Sequence, residues 1–333
     1  MNPIGFGILG FGRFAEHAIA PALRAARGVE LVALQKRSPG AAREAAARCD
    51  VKLAFGAAED LVGCPDVDAV FIASANSAHA PETLLAARHG KHVLVEKPMA
   101  VSVAEAEAML DACRSAGVQL MVGHMVRLSP VVRRVRELVR SGELGRVTHA
   151  RAEFVYDARL SHREWLTDRR VAGGGPLFDV GVHCLDTLRF VLSDEVESIA
   201  AQFEPLPTAE RTERTVTAAL RFRGGATASL HCSYDSPLRR SHLEVLGTEG
   251  VAVLPEFTRG SARARLAVGR RSAGEQPEWR HEEFEVPNLY VAEIELFADA
   301  IHAGRLTELT ADVGLANQRL LEAALLGAGP ARP

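Results

Sequence analysis

Over its first 125 residues the chain alternates short β-rich runs with alanine-rich helical runs, and that alternation admits few folds. Strands read at Ile4 to Leu9, Glu30 to Leu34, Ala69 to Ala73, His92 to Glu96 and Gln119 to Gly123. The segments between them are long enough for the crossover helices that parallel neighbours require. One helix carries both of its end signals: Ser102 with Glu105 three residues on forms a capping box, and Gly117 stands where a C-cap glycine belongs. The pattern predicts a doubly wound parallel α/β sheet with helices on both faces.

The pattern changes beyond a basic helix around Val131 to Arg140, which ends at Ser141-Gly142. Longer alternating strands follow at Val147 to Tyr156, Glu197 to Phe203, Thr215 to Phe222, Ala226 to Ser233 and Leu243 to Leu246, with a hairpin-type Gly224-Gly225. This describes an antiparallel α+β region. Two helical runs, near Tyr290 to His302 and Asp312 to Leu326, close the chain, and Arg259 to Gln276 reads as a mobile hairpin or loop. The boundary falls between a dinucleotide-binding domain, residues 1–125, and a substrate-binding domain, residues 126–333.

Inserted among those strands is the stretch GGGPLFDVGVHCLD, Gly173 to Asp186. Pro176 fits the first helical position after three glycines that let the backbone turn or approach a ligand closely. At about 100° per residue, Asp179, His183 and Asp186 fall on one narrow face of a helix that is otherwise apolar. Ionisable groups on a helix wrapped in protein are costly unless paired or used, so the stripe reads as catalytic apparatus or as a buried polar network that fixes the helix.

The composition excludes other classes of partner. With 47% hydrophobic and 24% charged residues and a net charge of -3, the chain is that of a soluble globular protein with no general attraction to nucleic acid or anionic lipid. The arginines of the basic helix read as a solvated face. Five scattered cysteines without a Cys-x-x-Cys pair argue against a disulfide framework or zinc ribbon and for a reducing compartment. No basic leader with a small-residue cleavage site precedes the first strand, and no run reaches the roughly 20 apolar residues of a membrane span. The expectation is a cytoplasmic protein with no nucleic-acid and no membrane partner.

Cofactor signals lie at the carboxyl ends of the first strands. Gly10-Phe11-Gly12-Arg13-Phe14-Ala15 follows the first strand and opens the first helix, where glycines allow a close approach of a pyrophosphate to unpaired helix amides. After the second strand the chain reads Gln35-Lys36-Arg37-Ser38, with two cations and no carboxylate. A ribose phosphate suits that better than a bare diol, so NADP is preferred over NAD, unless Lys36 and Arg37 are solvated loop residues. Ser74, Asn76 and His79 follow a further strand; Asn76 and His79 either touch the cofactor or cap a helix starting near Pro81. Glu96-Lys97-Pro98 ends the next strand, and Lys97 is a surface lysine or a proton donor to a carbonyl as hydride arrives.

Together these motifs, GILGFGRFA, ANSAH, HVLVEKP, ELGRV, GGGPLFDVGVHCLD and LEVLGTEG, resemble in order those of the Gfo/Idh/MocA family of oxidoreductases. The resemblance implies an N-terminal Rossmann domain, a C-terminal α+β domain on a large, mainly antiparallel sheet, and a nicotinamide in the cleft between them. It assigns catalysis to Lys97, Asp179 and His183, with His183 first choice for acid/base, Lys97 polarising the substrate oxygen, Asp179 orienting them and Asp186 in support. Glu96 then joins Gly10, Gly12, Arg13, Phe14, Lys36, Arg37, Ser74, Asn76, His79 and Lys97 as cofactor-binding residues. Trp165, ahead of the glycines, is similar to members acting on sugars and polyols, and Arg127 and Tyr156 are further substrate candidates. A homodimer or homotetramer through the C-terminal sheet is also implied.

Three rivals stand beside this reading. Asp179, His183 and Asp186 have spacing that suits a metal, but a metal leaves Lys97 and the glycine loop without a role, so no metal is expected. The family also includes NAD-dependent glycosidases. A non-catalytic nicotinamide-sensing regulator on the same scaffold is the third, although a sensor has no need of Lys97, Asp179 and His183 together.

Overall fold

The computed structural model describes residues 2–259, 262–271, 278–305 and 308–327. The chain divides into two compact units, one of Met1–Met125 with Tyr290–Gln318 and one of Val126–Leu289 with the chain from Arg319.

The first unit is built on strands β1 (Ile4–Leu9), β2 (Val29–Gln35), β3 (Leu53–Phe55), β4 (Ala69–Ile72), β5 (His92–Val95) and β6 (Leu120–Val122), in the order β3-β2-β1-β4-β5-β6. Every pairing is parallel. Helices α1 (Ala20–Ala25), α2 (Pro39–Arg48), α3 (Ala58–Val62), α4 (Asn76–Arg88) and α5 (Val103–Ala116) make the connections. All six residues of β1 are buried, as a central strand covered on both faces must be. The end signals of α5 are as read: Ser102 Oγ accepts from Glu105 N at 3.2 Å, and Gly117 is left-handed at φ +69°. Strand β3, three residues long, carries too short a pattern to be read from sequence.

The chain's two closing helices depart from the expected boundary. Helix α9 (Leu289–Ala303), after helices α6 to α8 described below, sets Phe297 edge-on to Phe6 of β1 at 6.2 Å and Tyr290 against Phe14 at 5.6 Å. Farther on, Leu309 O accepts from Val122 N at 3.4 Å, and Gly314 of α10 (Ala311–Leu326) approaches Val122 so closely that a Cβ would lie 2.5 Å from its methyl. The segment from Tyr290 to Gln318 thus completes the first unit's core, whereas the sequence reading left it with the second domain.

The second unit holds an eight-stranded sheet in the order β14-β13-β12-β11-β7-β10-β9-β8. Its strands are β7 (Val147–Asp157), β8 (Val196–Glu204), β9 (Thr215–Phe222), β10 (Thr227–Ser233), β11 (Asp235–Gly247), β12 (Gly250–Pro255), β13 (Ala262–Arg270) and β14 (Glu278–Val286). All pairs are antiparallel except β7 with β10. Alternation fixes the faces: Val216, Ala218 and Leu220 are buried while Thr217, Ala219 and Arg221 are exposed. Helices α6 (Pro130–Arg140), α7 (Arg169–Ala172) and α8 (Val182–Leu192) belong to this unit, and α8 packs on α6, β7 and β10. Arginines of α6 are engaged within the unit, Arg134 with Glu282 at 2.9 Å and Arg136 with Ser193 Oγ at 3.0 Å.

Of the two readings of Arg259 to Gln276, hairpin or loop, the structure bears out the hairpin, whose first strand is β13. Residues Ala262–Arg270 form β13, paired with β12 and β14, with Leu266 and Val268 buried on one face and Arg263 and Arg265 exposed on the other. Residues 260, 261 and 272–276 of that stretch lie outside the described residues.

Candidate active site

In the first unit the carboxyl ends of the parallel strands carry the candidate residues. Gly10 ends β1 at φ +72°, and a Cβ there would lie 2.5 Å from the Ser74 Cα, so only glycine fits where the ends of β1 and β4 meet. A Cβ on Gly12 would meet only the Gly10 carbonyl at 3.9 Å, which leaves the loop open above it. Gln35 fixes that loop: its Oε1 accepts from Gly10 N at 3.2 Å, its carbonyl from Phe11 N at 2.9 Å, and its Nε2 donates to Gly56 O at 3.2 Å. A helix follows from Arg13, wound as a π-turn over Ala15–Ile19, and its first amides sit at the positive end of the helix. An open cradle of glycine backbone before helix amides fits a dinucleotide pyrophosphate.

Lys36 is half-buried and Arg37 exposed, neither ion-paired among the described residues, immediately before the Ser38 cap of α2. Helix α4 begins at Asn76, and Pro81 lies inside it, so neither Asn76 nor His79 caps a helix starting near Pro81. Instead His79, 1% exposed, sets Nδ1 2.9 Å from Pro98 O and Nε2 3.2 Å from Ser74 O, tying the end of β4 to the turn after β5. Burial pulls its pKa down to about 4, so the ring is neutral and has one N–H to donate.

Lys97 is half-buried between Glu96 and Pro98. The Glu96 carboxylate lies over Gly123, where a Cβ would come within 3.4 Å of its Oε1. Two further acids surround this edge, neither read from sequence. Glu293 of α9 is fully buried without a hydrogen-bond partner among the described residues, and burial followed by the Glu96 charge pushes its pKa well up, which keeps it neutral. Glu82 of α4 accepts from Ser74 Oγ at 2.7 Å, and burial raises its pKa to about 7 against the lowering by that hydroxyl.

In the second unit the three glycines are steric requirements. Gly173 is at φ +79°, a Cβ on Gly174 would lie 2.4 Å from the Phe178 ring, and one on Gly175 would lie 2.1 Å from the Glu213 carbonyl oxygen. Glu213, fully buried, also accepts from Leu177 N at 3.1 Å and so holds the start of the helix. That helix is not uniformly α: Leu177–Gly181 is a π-turn, and α8 continues from Val182. Pro176 precedes the π-turn, where the sequence reading placed the first helical residue. Every residue from Leu177 to Leu192 is buried, Asp179 to 5%, His183 to 8% and Asp186 to 1%.

The two acids of the stripe have separate surroundings. Arg127 Nε lies 3.0 and 2.9 Å from the two Asp186 oxygens and Nη2 lies 2.7 Å from Oδ1, with the guanidinium 5.2 Å over the Phe190 ring. Asp179 is held by Arg163, through Nη1 at 2.9 Å and Nη2 at 3.0 Å, and by the Tyr156 hydroxyl at 2.5 Å. Burial and then the Asp179 charge push the Tyr156 pKa well up, so its proton stays on the phenol. Burial lowers the Arg163 pKa, and Asp179 and Tyr156 outweigh it to leave a net rise. His183 stacks obliquely on Phe154 at 6.1 Å, and Phe154 lies 6.3 Å from Tyr156. Trp165 is half-buried, with the Arg163 guanidinium 5.9 Å from its ring.

Tyr156, Asp179 and His183 therefore share one neighbourhood, while Arg127 is engaged by Asp186. Among the described residues no group of three or more His, Cys, Asp or Glu stands where it could hold a metal ion. Arg163, the partner of Asp179, was not singled out by sequence; nothing distinguishes it from Arg159, Arg169 or Arg170 nearby.

Two family descriptions match the chain, "Oxidoreductase family, NAD-binding Rossmann fold" over residues 4–124 and "GFO/IDH/MocA C-terminal domain" over residues 132–253. The chain belongs to the GFO/IDH/MocA family of NAD(P)-dependent oxidoreductases. It is similar to 1,5-anhydro-D-fructose reductase of Ensifer adhaerens, with 32% identity over 315 residues that cover 93% of this chain and 92% of the relative. It is also similar to trans-1,2-dihydrobenzene-1,2-diol dehydrogenase of Mus musculus, with 36% identity over 229 residues, 68% of this chain and 67% of the relative. Among solved structures, aldose-aldose oxidoreductase from Caulobacter crescentus matches with a TM-score of 0.88 and 29% identity, covering 99% of each chain.

Glu82 yields a test of the first unit's electrostatics. Its folded pKa of about 7 lies above the ordinary 4.5, so the native state holds a proton that the unfolded state has released between those values. Stability falls as pH rises through that window, and below it the group contributes nothing. Glu82→Gln should gain stability over wild type between pH 4.5 and 7, up to about 3 kcal/mol above pH 7. Denaturant unfolding at pH 4 and pH 8 measures it; an equal difference at the two pH values contradicts the buried, protonated acid.

Proposed function

We propose that the chain is an NADP-preferring oxidoreductase that transfers a hydride between the nicotinamide and a hydroxyl or carbonyl carbon of a sugar, polyol or related small molecule. The observation that carries this reading is Asp179, held by Arg163 and the Tyr156 hydroxyl, one helical turn from His183 on a helix buried at every position from Leu177 to Leu192. Relatives named for an anhydrofructose and a dihydrodiol support the substrate class.

Bound at the Gly10–Gly12 cradle, the nicotinamide cofactor supplies or accepts the hydride. Arg37, exposed and without an ion pair among the described residues, lies beside the α2 cap and suits the ribose phosphate; Lys36 adds charge. Ser74, Asn76 and Glu96, at the strand ends, complete the cofactor site. When a carbonyl is reduced, negative charge builds on its oxygen; His183 is assigned as the proton donor and Lys97 as the cation that binds and polarises that oxygen. Asp179, fixed by Arg163 and the Tyr156 hydroxyl, is assigned to orient His183 one helical turn on.

We also propose a homodimer or homotetramer through the exposed face of the eight-stranded sheet. Thr217, His231, Glu153 and Arg240 present hydrogen-bonding groups there, and one face of such a sheet needs either water or a partner. Light scattering at micromolar concentration should give a dimeric or tetrameric mass; a monomer contradicts it. The unpaired cysteines fit a cytoplasmic setting.

Lys97→Ala and His183→Ala should each lower kcat by about 10² to 10⁴ while NADPH affinity and thermal midpoint stay near wild type. Near wild-type turnover by either variant removes that residue from the chemistry. Arg37→Ala should weaken NADPH binding roughly ten- to a hundredfold and leave NADH binding little changed. Equal affinity of the unaltered protein for the two cofactors contradicts the NADP preference.

A further inference from the structure

Arg163 stands on the loop between β7 and α7, and its side chain is 36% exposed while that of its partner Asp179 is 6% exposed. A guanidinium has five N–H groups. Three are used here: Nη1 on Asp179 Oδ1, and Nη2 on both Asp179 Oδ2 and the Tyr156 hydroxyl. The Nε–H and the second Nη1–H meet no acceptor among the described residues, and Nε is not sealed from solvent. The fork is thus held at one end and left with donors to spare.

We propose that Arg163 is a substrate-recognition residue whose two remaining N–H groups bind hydroxyl oxygens of a neutral polyhydroxylated substrate. The inference rests on the reading of Asp179 and His183 as the chemical centre and deepens it by naming the substrate's charge. Because Asp179 neutralises the guanidinium at close range, the pair offers oriented donors with little net charge. A carboxylate would gain little from it. Arg159, four residues before it, is neutralised as well, by Asp157 at 2.7 Å. Asp179 and Tyr156 fix the guanidinium in advance, which reduces the ordering cost when hydroxyls bind. Trp165, with the guanidinium 5.9 Å from its ring, adds a flat apolar surface suited to the C–H face of a sugar ring.

The test uses the full chain with NADPH and three carbonyl probes: D-xylose, neutral and polyhydroxylated; D-glucuronate, its carboxylated counterpart; and diacetyl, without hydroxyls. Arg163→Lys keeps a cation opposite Asp179 and loses the planar fork. Its kcat/KM for D-xylose relative to diacetyl should fall at least about tenfold, chiefly through KM, and Arg163→Gln should shift the ratio in the same direction. Unaltered protein should prefer D-xylose to D-glucuronate. A ratio within about twofold of wild type in Arg163→Lys, or a preference for D-glucuronate, overturns the assignment while the functional reading stands. Failure of the unaltered protein to oxidise NADPH with any probe overturns both. A purely structural role for Arg163 would lower turnover of D-xylose and diacetyl alike, leave the ratio unchanged and so also overturn it.

Discussion

A carboxylate on a helix with no exposed face must meet a cation, and this chain meets that need twice on one element. Between Leu177 and Leu192 every residue is buried, yet Asp179 and Asp186 are both there. Asp186 takes Arg127, from the turn before α6, and Asp179 takes Arg163, from the loop after β7, with Tyr156 from the end of β7. Glu213 holds the helix start from a third direction. The second unit is thereby organised around one buried polar helix. Removing one partner of such a pair leaves a stranded charge and typically costs about 3 to 5 kcal/mol, whereas removing both together can be nearly neutral. The pairs fix where the helix sits more than how stable the unit is.

The first unit handles buried ionisable groups in the opposite way, by neutralising them. Burial holds His79 neutral, with a pKa of about 4, and Glu82 rises to about 7 while accepting from Ser74. Glu293 is pushed up by burial and by the charge of Glu96. These groups lie behind the strand ends rather than in the open cradle, and His79 ties the ends of β4 and β5 through backbone carbonyls. Cations at the edge, Lys36, Arg37 and Lys97, are half-buried or exposed. An edge where Glu293 is held neutral, Glu82 is partly protonated near pH 7 and Lys36, Arg37 and Lys97 reach the surface suits a polyanionic cofactor.

Local patterns were legible in the sequence and long-range partners were not. The glycine loop, the strand ends and the end signals of α5 depend on residues within a few positions of one another, so composition and spacing expose them. Strands β12 and β14 went unread, and β13 was read only as part of a hairpin or loop: it is rich in alanine and arginine, and Leu266 and Val268 mark its inward face. The π-turn at Leu177–Gly181 leaves no periodic trace, and it separates the environments of Asp179 and Asp186 that an α spacing of about 100° had joined. Arg163 and Glu213 lie 16 and 36 residues from their partners Asp179 and Leu177 and follow no local rule, so only the fold reveals them. Likewise, Phe297 and Gly314 read as ordinary helix positions until their contacts with Phe6 and Val122 place the closing segment in the first unit.

The proposed function divides the labour along one helix, with Asp186 and Arg127 holding it and Asp179 assigned to the chemistry. The most direct test is the kcat of an Arg127→Met/Asp186→Leu double variant that retains a cooperative fold. The account predicts turnover within about threefold of wild type, because a neutral apolar pair replaces a neutral ion pair. A folded double variant with kcat reduced by about a hundredfold, the scale of a lost acid or base, would place the Arg127–Asp186 pair in the reaction and contradict the division.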